Sequence, residues 1–319
     1  MDRSTVSLQS CSSYGVEEVG TSIDRLLEPL GGLSAFVSPG ECILLKPNFV
    51  AKSAATAPAC THPEVILAVA RKVRECGATP VIGDSPALGS AEKIARHTGL
   101  YHLAREEGFE ILTLQRPVHR KVELGGKTFH LTVSQEALEC DGILNLPKFK
   151  AHRQATLTFG VKNLYGCVTG KRKPFRHFAS GGDLGWFSNM LIANAKLLAP
   201  RLTLVDGIVA MQGLGPVKGT ARPLGVLVAG ADVTSVDSVC CRLVGYPPTR
   251  LCTIDSARKL GYGIWDPDRI DVLGEDLDSL AIEDFEFPDL IPIFFSFPRL
   301  VRSCLRSVRE KMAPEDLGT

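Results

Sequence analysis

Between residues 42 and 114, short apolar runs alternate with amphipathic stretches, and most runs stop at a Pro, Gly or Asp. The run 42–46 breaks at Lys46-Pro47-Asn48, and 80–82 breaks at Gly83-Asp84-Ser85-Pro86. Between them Val65, Ile66, Val69 and Val73 recur at helical spacing behind Pro63, with Thr61 as the expected N-cap. Residues 90–107 read as a second helix and 110–114 as a third strand. A β-α-β-α-β order predicts a parallel sheet, because strands running the same way need a long return and the crossover is right-handed.

Flanking segments extend this pattern. Residues 6–9 read as a strand and 16–30 as a helix, and 118–133 reads as an inserted hairpin turning at Gly125-Gly126. Strands follow at 142–146, at 201–205 ending in Asp206-Gly207, and at 223–228. Helices are expected at 184–197 and at 233–243, the latter capped near Asp232. The predicted class is α/β: a mostly parallel Rossmann-like sheet with helices on both faces and an inserted β-hairpin. We expect a domain over residues 1–290, as one body or as two lobes with the site between them. A basic amphipathic tail, 291–319, follows it.

In such sheets ligands sit beyond the carboxyl ends of the strands. Four predicted ends are polar: Lys46-Pro47-Asn48, Gly83-Asp84-Ser85-Pro86, Asn145-Leu146-Pro147-Lys148 and Asp206-Gly207. Each alone is ordinary turn or capping chemistry. Together they predict a site using Lys46, Asn48, Asp84, Ser85 and Asp206. Lys148, Lys150 and His152 alternate, so on an extended segment they share one side. A crowded lysine acts as base or nucleophile and an exposed one as a point charge for carboxylate or phosphate, while a histidine moves protons near neutral pH. Lys162-Asn163 stands in a glycine-bounded segment beside aromatic residues. The 213–219 loop, with Gly213 and Gly215, offers backbone N–H groups to an anion. It lacks the P-loop spacing, and no Gly-x-Gly-x-x-Gly stands between a strand and a helix.

Net charge is +1, which gives no global steering toward nucleic acid. Locally, 142–182 has no carboxylate yet carries Lys148, Lys150, Arg153, Lys162, Lys171, Arg172, Lys173 and Arg176. The reverse bias falls at 271–290, with eight carboxylates and no Lys or Arg. The acid-free stretch points to an anionic ligand. The ten cysteines show no Cys-x-x-Cys spacing, so no cluster or zinc motif is written locally. Cys60 beside His62, and Cys167, are the candidate metal ligands. Small buried thiols are the plainer reading. A polar N-terminal stretch and the lack of a 20-residue apolar run predict a cytoplasmic protein with reduced thiols.

At this point the motifs resemble a known family. The likeness rests on Leu45-Lys46-Pro47-Asn48, Thr61-His62-Pro63-Glu64, Gly83-Asp84-Ser85-Pro86 and Asn145 to His152. It continues through Gly160-Val161-Lys162-Asn163-Leu164-Tyr165-Gly166, Val205-Asp206-Gly207-Ile208, and Gly230-Ala231-Asp232 followed by Asp237. These are similar to the DUF362 family over residues 11–263. That resemblance implies an α/β protein often associated with iron–sulfur proteins; the cysteine-rich ferredoxin module of many relatives is missing from this chain. The early motifs are also distantly similar to the nickel-dependent lactate racemase family, which works through lysine and histidine side chains around a cofactor.

The expected function is therefore an enzyme on a small carboxylate or phosphate. Lys148, Lys150, His152 and Lys162 carry the chemistry, either a proton transfer or a reduction fed by a separate ferredoxin-like donor. The alternatives are an iron–sulfur or metal-handling accessory protein, and a nucleic-acid or membrane-surface binder. Peripheral membrane contact would run through the tail.

Overall fold

Apolar strands that must be covered on both faces dictate the architecture. The computed structural model describes residues 2–50, 58–87, 89–169 and 183–291. Along the chain come β1 (Ser4–Ser10), α1 (Val16–Leu27), β2 (Cys42–Pro47), α2 (Pro63–Glu75), β3 (Thr79–Asp84), α3 (Ala91–Thr98), α4 (Leu100–Glu106) and β4 (Glu110–Thr113). The hairpin β5 (Pro117–Leu124) and β6 (Lys127–Ser134) follows, then α5 (Gln135–Glu139), β7 (Gly142–Leu146), β8 (Lys148–His152), β9 (Thr156–Thr158) and α6 (Gly160–Asn163). The last part holds α7 (Leu184–Leu198), β10 (Leu202–Gln212), β11 (Thr220–Gly230), α8 (Val233–Leu243), α9 (Cys252–Leu260), β12 (Ile270–Gly274) and α10 (Leu277–Leu280).

The sheet order is β12-β1-β11-β10-β7-β2-β3-β4, with β8 and β9 continuing beyond the path beside β10. All neighbours along the path are parallel except at β11, which runs against both β10 and β1. The hairpin forms a separate two-stranded sheet. This is the predicted mostly parallel α/β fold, with β11 antiparallel inside it and β9 antiparallel to β8 at its side.

Strand alternation sends neighbouring residues to opposite cores. Ile43 and Leu45 pack with α1, α2 and α3, while Leu44 packs with the hairpin and α7. A third cluster joins Val205, Val226 and Val228 to α8.

Three expectations needed correction. The helix expected over 90–107 is broken in two at Gly99, whose φ of +81° is left-handed and closes α3. The N-cap of α2 is His62 rather than Thr61: its Nδ1 accepts from the Glu64 N–H at 3.2 Å, while the Thr61 hydroxyl donates to the Leu146 carbonyl at 2.6 Å. Asp206-Gly207 does not end a strand. β10 runs on to Gln212 through an irregularity between Gly207 and Val209, because β8 and β11 supply backbone partners beyond the end of β7.

Candidate functional site

Pro147 has no N–H for a continuous ladder, so the chain shifts there from β7 into β8 beside β10. On β8, Phe149 and Ala151 turn into the apolar core beside Val205. Lys148, Lys150 and His152 therefore fall on the other side, where they line one cavity. Its volume is about 120 Å³, and its remaining walls are Asn48, Val50, Pro147, Thr158, Phe159, Lys162, Asn163 and Pro216. No carboxylate of the described residues lines it.

The lysines around this cavity are held in different ways. Lys148 is 2% exposed and donates to Asp206 Oδ2 at 2.8 Å and to the Tyr14 hydroxyl at 2.7 Å. Asp206 is saturated: Oδ1 accepts from the Tyr14 hydroxyl at 2.9 Å, and Oδ2 also accepts from the His62 N–H at 2.9 Å. Lys46 is fully buried behind the cavity, 3.1 Å from Asp84 Oδ1, and donates to the Pro47 carbonyl at 2.6 Å. The other Asp84 oxygen accepts from the Phe49 N–H at 2.7 Å, and the Ser85 N–H donates to Oδ1 and to the Gly166 carbonyl. Asp84 thus ties the loops after β2 and β3 to one lysine, and Ser85 links them to the turn at Gly166.

Lys150 meets no carboxylate. It donates to Asn48 Oδ1 and, at 3.0 Å, to the Ala59 carbonyl. Lys162, on α6, forms no hydrogen bond or ion pair with any described residue, although Lys150 feels its charge. Burial pushes the Lys150 amine down to about 7, and repulsion from Lys162 adds to this. Burial likewise pushes Lys162 down to about 8. Lys148 is also lowered by burial, against the pull of Asp206.

An amide ladder fixes the back wall. Asn163 Nδ2 donates to the Lys46 carbonyl at 3.0 Å and to Asn145 Oδ1 at 2.8 Å, and its Oδ1 accepts from Asn48 Nδ2 at 3.0 Å. Asn145 donates on to the Gly160 carbonyl at 3.1 Å. Asp237 on α8 accepts from the N–H groups of Gly160 at 2.7 Å and Val161 at 3.3 Å, and so sets the start of α6. Burial nevertheless pushes the Asp237 carboxyl up to about 8. His152 accepts at Nδ1 from the Gln154 N–H at 3.1 Å, which leaves Nε2 to carry the proton in the neutral ring.

The structure brings together Asn48, Lys148, Lys150, His152, Lys162 and Asn163 on the cavity wall, with Lys46, Asp84, Ser85 and Asp206 behind it. Gly213 and Gly215 have a different role. Their N–H groups donate to the Glu286 and Gly213 carbonyls, so they do not face an anion. Gly215 is required by closeness instead, since a Cβ there would stand 1.8 Å from the Ala151 carbonyl oxygen. This approach seats Pro216 against the cavity.

The metal-ligand candidates do not converge. His62 stacks on Tyr14 with ring centroids 3.6 Å apart, and burial pushes it down to about 4 while its Nδ1 serves as a helix cap. The Cys60 thiol is pushed up by burial, and Cys167 lies in the core under α7, on the other face of the sheet from the core that Cys60 touches. Among the described residues no three His, Cys, Asp or Glu side chains form a metal-binding group. These residues do not fit a resident cluster or nickel centre, and no step is derived through one.

Sequence reading missed Tyr14 and Thr158, and it named Asp237 only within a motif, without a role at the site. Tyr14 precedes α1 and reaches Asp206 across the sheet, and nothing local in sequence signals such a contact. Lys171, Arg172, Lys173 and Arg176 and the tail from residue 292 lie outside the described residues.

An α/β protein with a buried, lysine-walled cavity at its strand ends is the class that the fold and the site define. The family model described as Domain of unknown function (DUF362) matches residues 43–242. The chain is 37% identical over 314 residues to the thylakoid-associated protein sll1697 of Synechocystis sp., covering 98% of this chain and 97% of that one. It belongs to the DUF362 family. Among solved structures it is similar to the lactate racemase apoprotein from Thermoanaerobacterium thermosaccharolyticum, with a TM-score of 0.45, 11% identity, and coverage of 73% of this chain and 55% of that chain. A protein from Thermotoga maritima is similar with a TM-score of 0.41 and 11% identity, over 70% of this chain and 56% of that one.

Proposed function

We propose that the protein is an enzyme that binds a small carboxylate or phosphate in the β8 cavity and moves a proton at the bound molecule. One observation carries this reading: three lysines and a histidine line a cavity of about 120 Å³ whose wall has no carboxylate among the described residues. Such a wall attracts an anion, and burial strengthens the attraction by keeping solvent from screening it. The space equals roughly four waters, which suits an acid of three or four carbons.

In this reading Lys150 and Lys162 bind the anion, and His152 serves as general acid or base through Nε2. Asn48 and Asn163 orient Lys150 through the amide ladder. Lys148 is held by Asp206 and contributes shape and background potential. A reduction fed by a separate ferredoxin-like donor would use the same binding groups.

Calorimetry with a panel of small carboxylates and phosphate tests the reading, comparing the native protein with Lys150→Met. Binding that weakens tenfold or more in the variant supports it. Equal affinity in both, or no binding of any anion by the native protein, sinks it.

A second reading follows from the name of the Synechocystis relative, which is thylakoid-associated. No described helix is long and apolar enough to cross a membrane. A cytoplasmic enzyme resting on a membrane through its basic amphipathic tail, 291–319, accounts for both facts. Flotation with anionic and neutral vesicles checks it: cofloating with neither would remove the membrane contact. Net charge of +1 gives nucleic acid no support as a partner.

A further inference from the structure

We infer that Lys162 is a carbonyl-capturing nucleophile, and that the substrate of the cavity is a small oxo acid held by its carboxylate at Lys150 and by its carbonyl as an imine at Lys162. The inference rests on the anion-binding reading above and names the substrate class within it.

The four lysines around the strand ends are used in different ways. Lys46 meets Asp84, and Lys148 meets Asp206, so each of these amines is already committed to a buried carboxylate. Lys150 carries two oxygen acceptors, Asn48 Oδ1 and the Ala59 carbonyl, which favour its charged form and leave one N–H for a ligand. Lys162 lines the same cavity with no acceptor among the described residues. Lys162 thus has no oxygen among the described residues to hold its proton in place, and only a neutral amine has a lone pair for attack.

Proximity reinforces the division. The two amines repel each other, and burial lowers both, to about 7 for Lys150 and about 8 for Lys162. Near neutral pH the pair therefore holds fewer protons than two free lysines would. Lys150 is the lower of the two, and a carboxylate bound beside it raises it, so Lys150 takes the charge and Lys162 can supply the lone pair.

Two further features fit such a step. α6 is set in place by Asp237 beneath Gly160 and Val161, so the lysine stem leaves a fixed backbone. A Cβ on Gly160 would come within 2.6 Å of Val233, which shows how tightly α6 lies on α8. His152 lines the same cavity and can protonate the departing oxygen.

The step is balanced without an oxidant. The Lys162 nitrogen forms a bond to the carbonyl carbon, giving a carbinolamine. The carbon–oxygen bond then breaks and the oxygen leaves as water, taking one proton from the nitrogen and one from an acid such as His152. The product is the iminium, whose nitrogen keeps one proton, and its positive charge acidifies the neighbouring C–H. This supplies the proton transfer beside a carbonyl that the cavity is suited to perform.

The test treats the full-length protein with glyoxylate or with pyruvate, adds borohydride, and maps the modified lysine by peptide mass spectrometry. Calorimetry with the same acids runs in parallel without borohydride. The expected result is one reduced adduct, located on Lys162, lost in Lys162→Arg and diminished in Lys150→Met. An adduct on Lys150 overturns the assignment. Binding of either acid with no trapped adduct overturns the imine and leaves the anion reading standing. Neither binding nor trapping overturns both. Mapping in the native protein keeps the test decisive even if a variant fails to fold.

Discussion

Lys46 and Lys148 each meet a buried carboxylate, whereas Lys150 and Lys162, around the same strand ends, meet none. The paired lysines connect loops. Asp84 gathers the ends of β2 and β3 and the turn at Gly166, and Asp206 gathers β8, Tyr14 and the start of α2. Lys150 and Lys162 face the cavity with no carboxylate partner among the described residues. A buried ion pair is weak evidence of net stabilisation, but removing one partner leaves an uncompensated charge. The first kind of lysine thus holds the site in shape, and the second is left for a ligand.

The comparison breaks most visibly at the paired lysines. Lys148→Ala strands Asp206 in the core and should lower stability by about 3–5 kcal/mol. Urea unfolding measures this, and a loss below that range would mean that water reaches Asp206. Gly166→Ala attacks the other pair from outside, since its Cβ would lie 2.3 Å from both Lys46 Nζ and Asp84 Oδ1. Overpacking of this kind should cost about 1–3 kcal/mol, read as a drop in melting temperature.

Lys162→Met sharpens the contrast by separating stability from binding. No described partner is lost, so the fold should hold, while affinity for a small carboxylate should fall about tenfold, equivalent to about 1.4 kcal/mol. Unchanged affinity would place Lys162 outside the binding machinery. Tyr14→Phe has the smallest effect on the paired side. It removes hydrogen bonds to Asp206, Lys148 and the Val209 N–H, of which the net loss should be about 1–2 kcal/mol.

A pH series addresses the unpaired side alone. Both cavity lysines sit below the free-lysine value of about 10.4, so the unfolded chain binds more protons above pH 7. Their contribution to stability therefore rises with pH from the folded values of about 7 and about 8 up to the free value, and is flat below. Lys162→Met should remove part of that rise in urea unfolding. Anion affinity should move the other way, falling as the amines lose charge above pH 7.

Much of the fold was legible in the sequence. α2, β7 and α8 keep their expected limits because their apolar spacing is set by local geometry: a helical stripe or a short run bounded by Pro and Gly. The hairpin turn at Gly125-Gly126 has the positive φ values, +55° and +70°, that the glycine pair suggested. Strand order was not legible, since β1 lies four places from β2 in the sheet and pairs with β11 and β12 instead. Sequence neighbours say nothing about partners brought from the far end of the chain.

For the site, the sequence determined which residues share a side. Alternation alone put Lys148, Lys150 and His152 together, because a strand turns successive side chains to opposite faces. The tertiary structure alone decided what each does. Asp206 reaches Lys148 from a strand 58 residues away, Asp84 reaches Lys46, and no described carboxylate reaches Lys150 or Lys162. A lysine's charge, freedom and nucleophilicity depend on what lies within a few ångströms in low dielectric, and that neighbourhood is assembled only when the sheet closes over it.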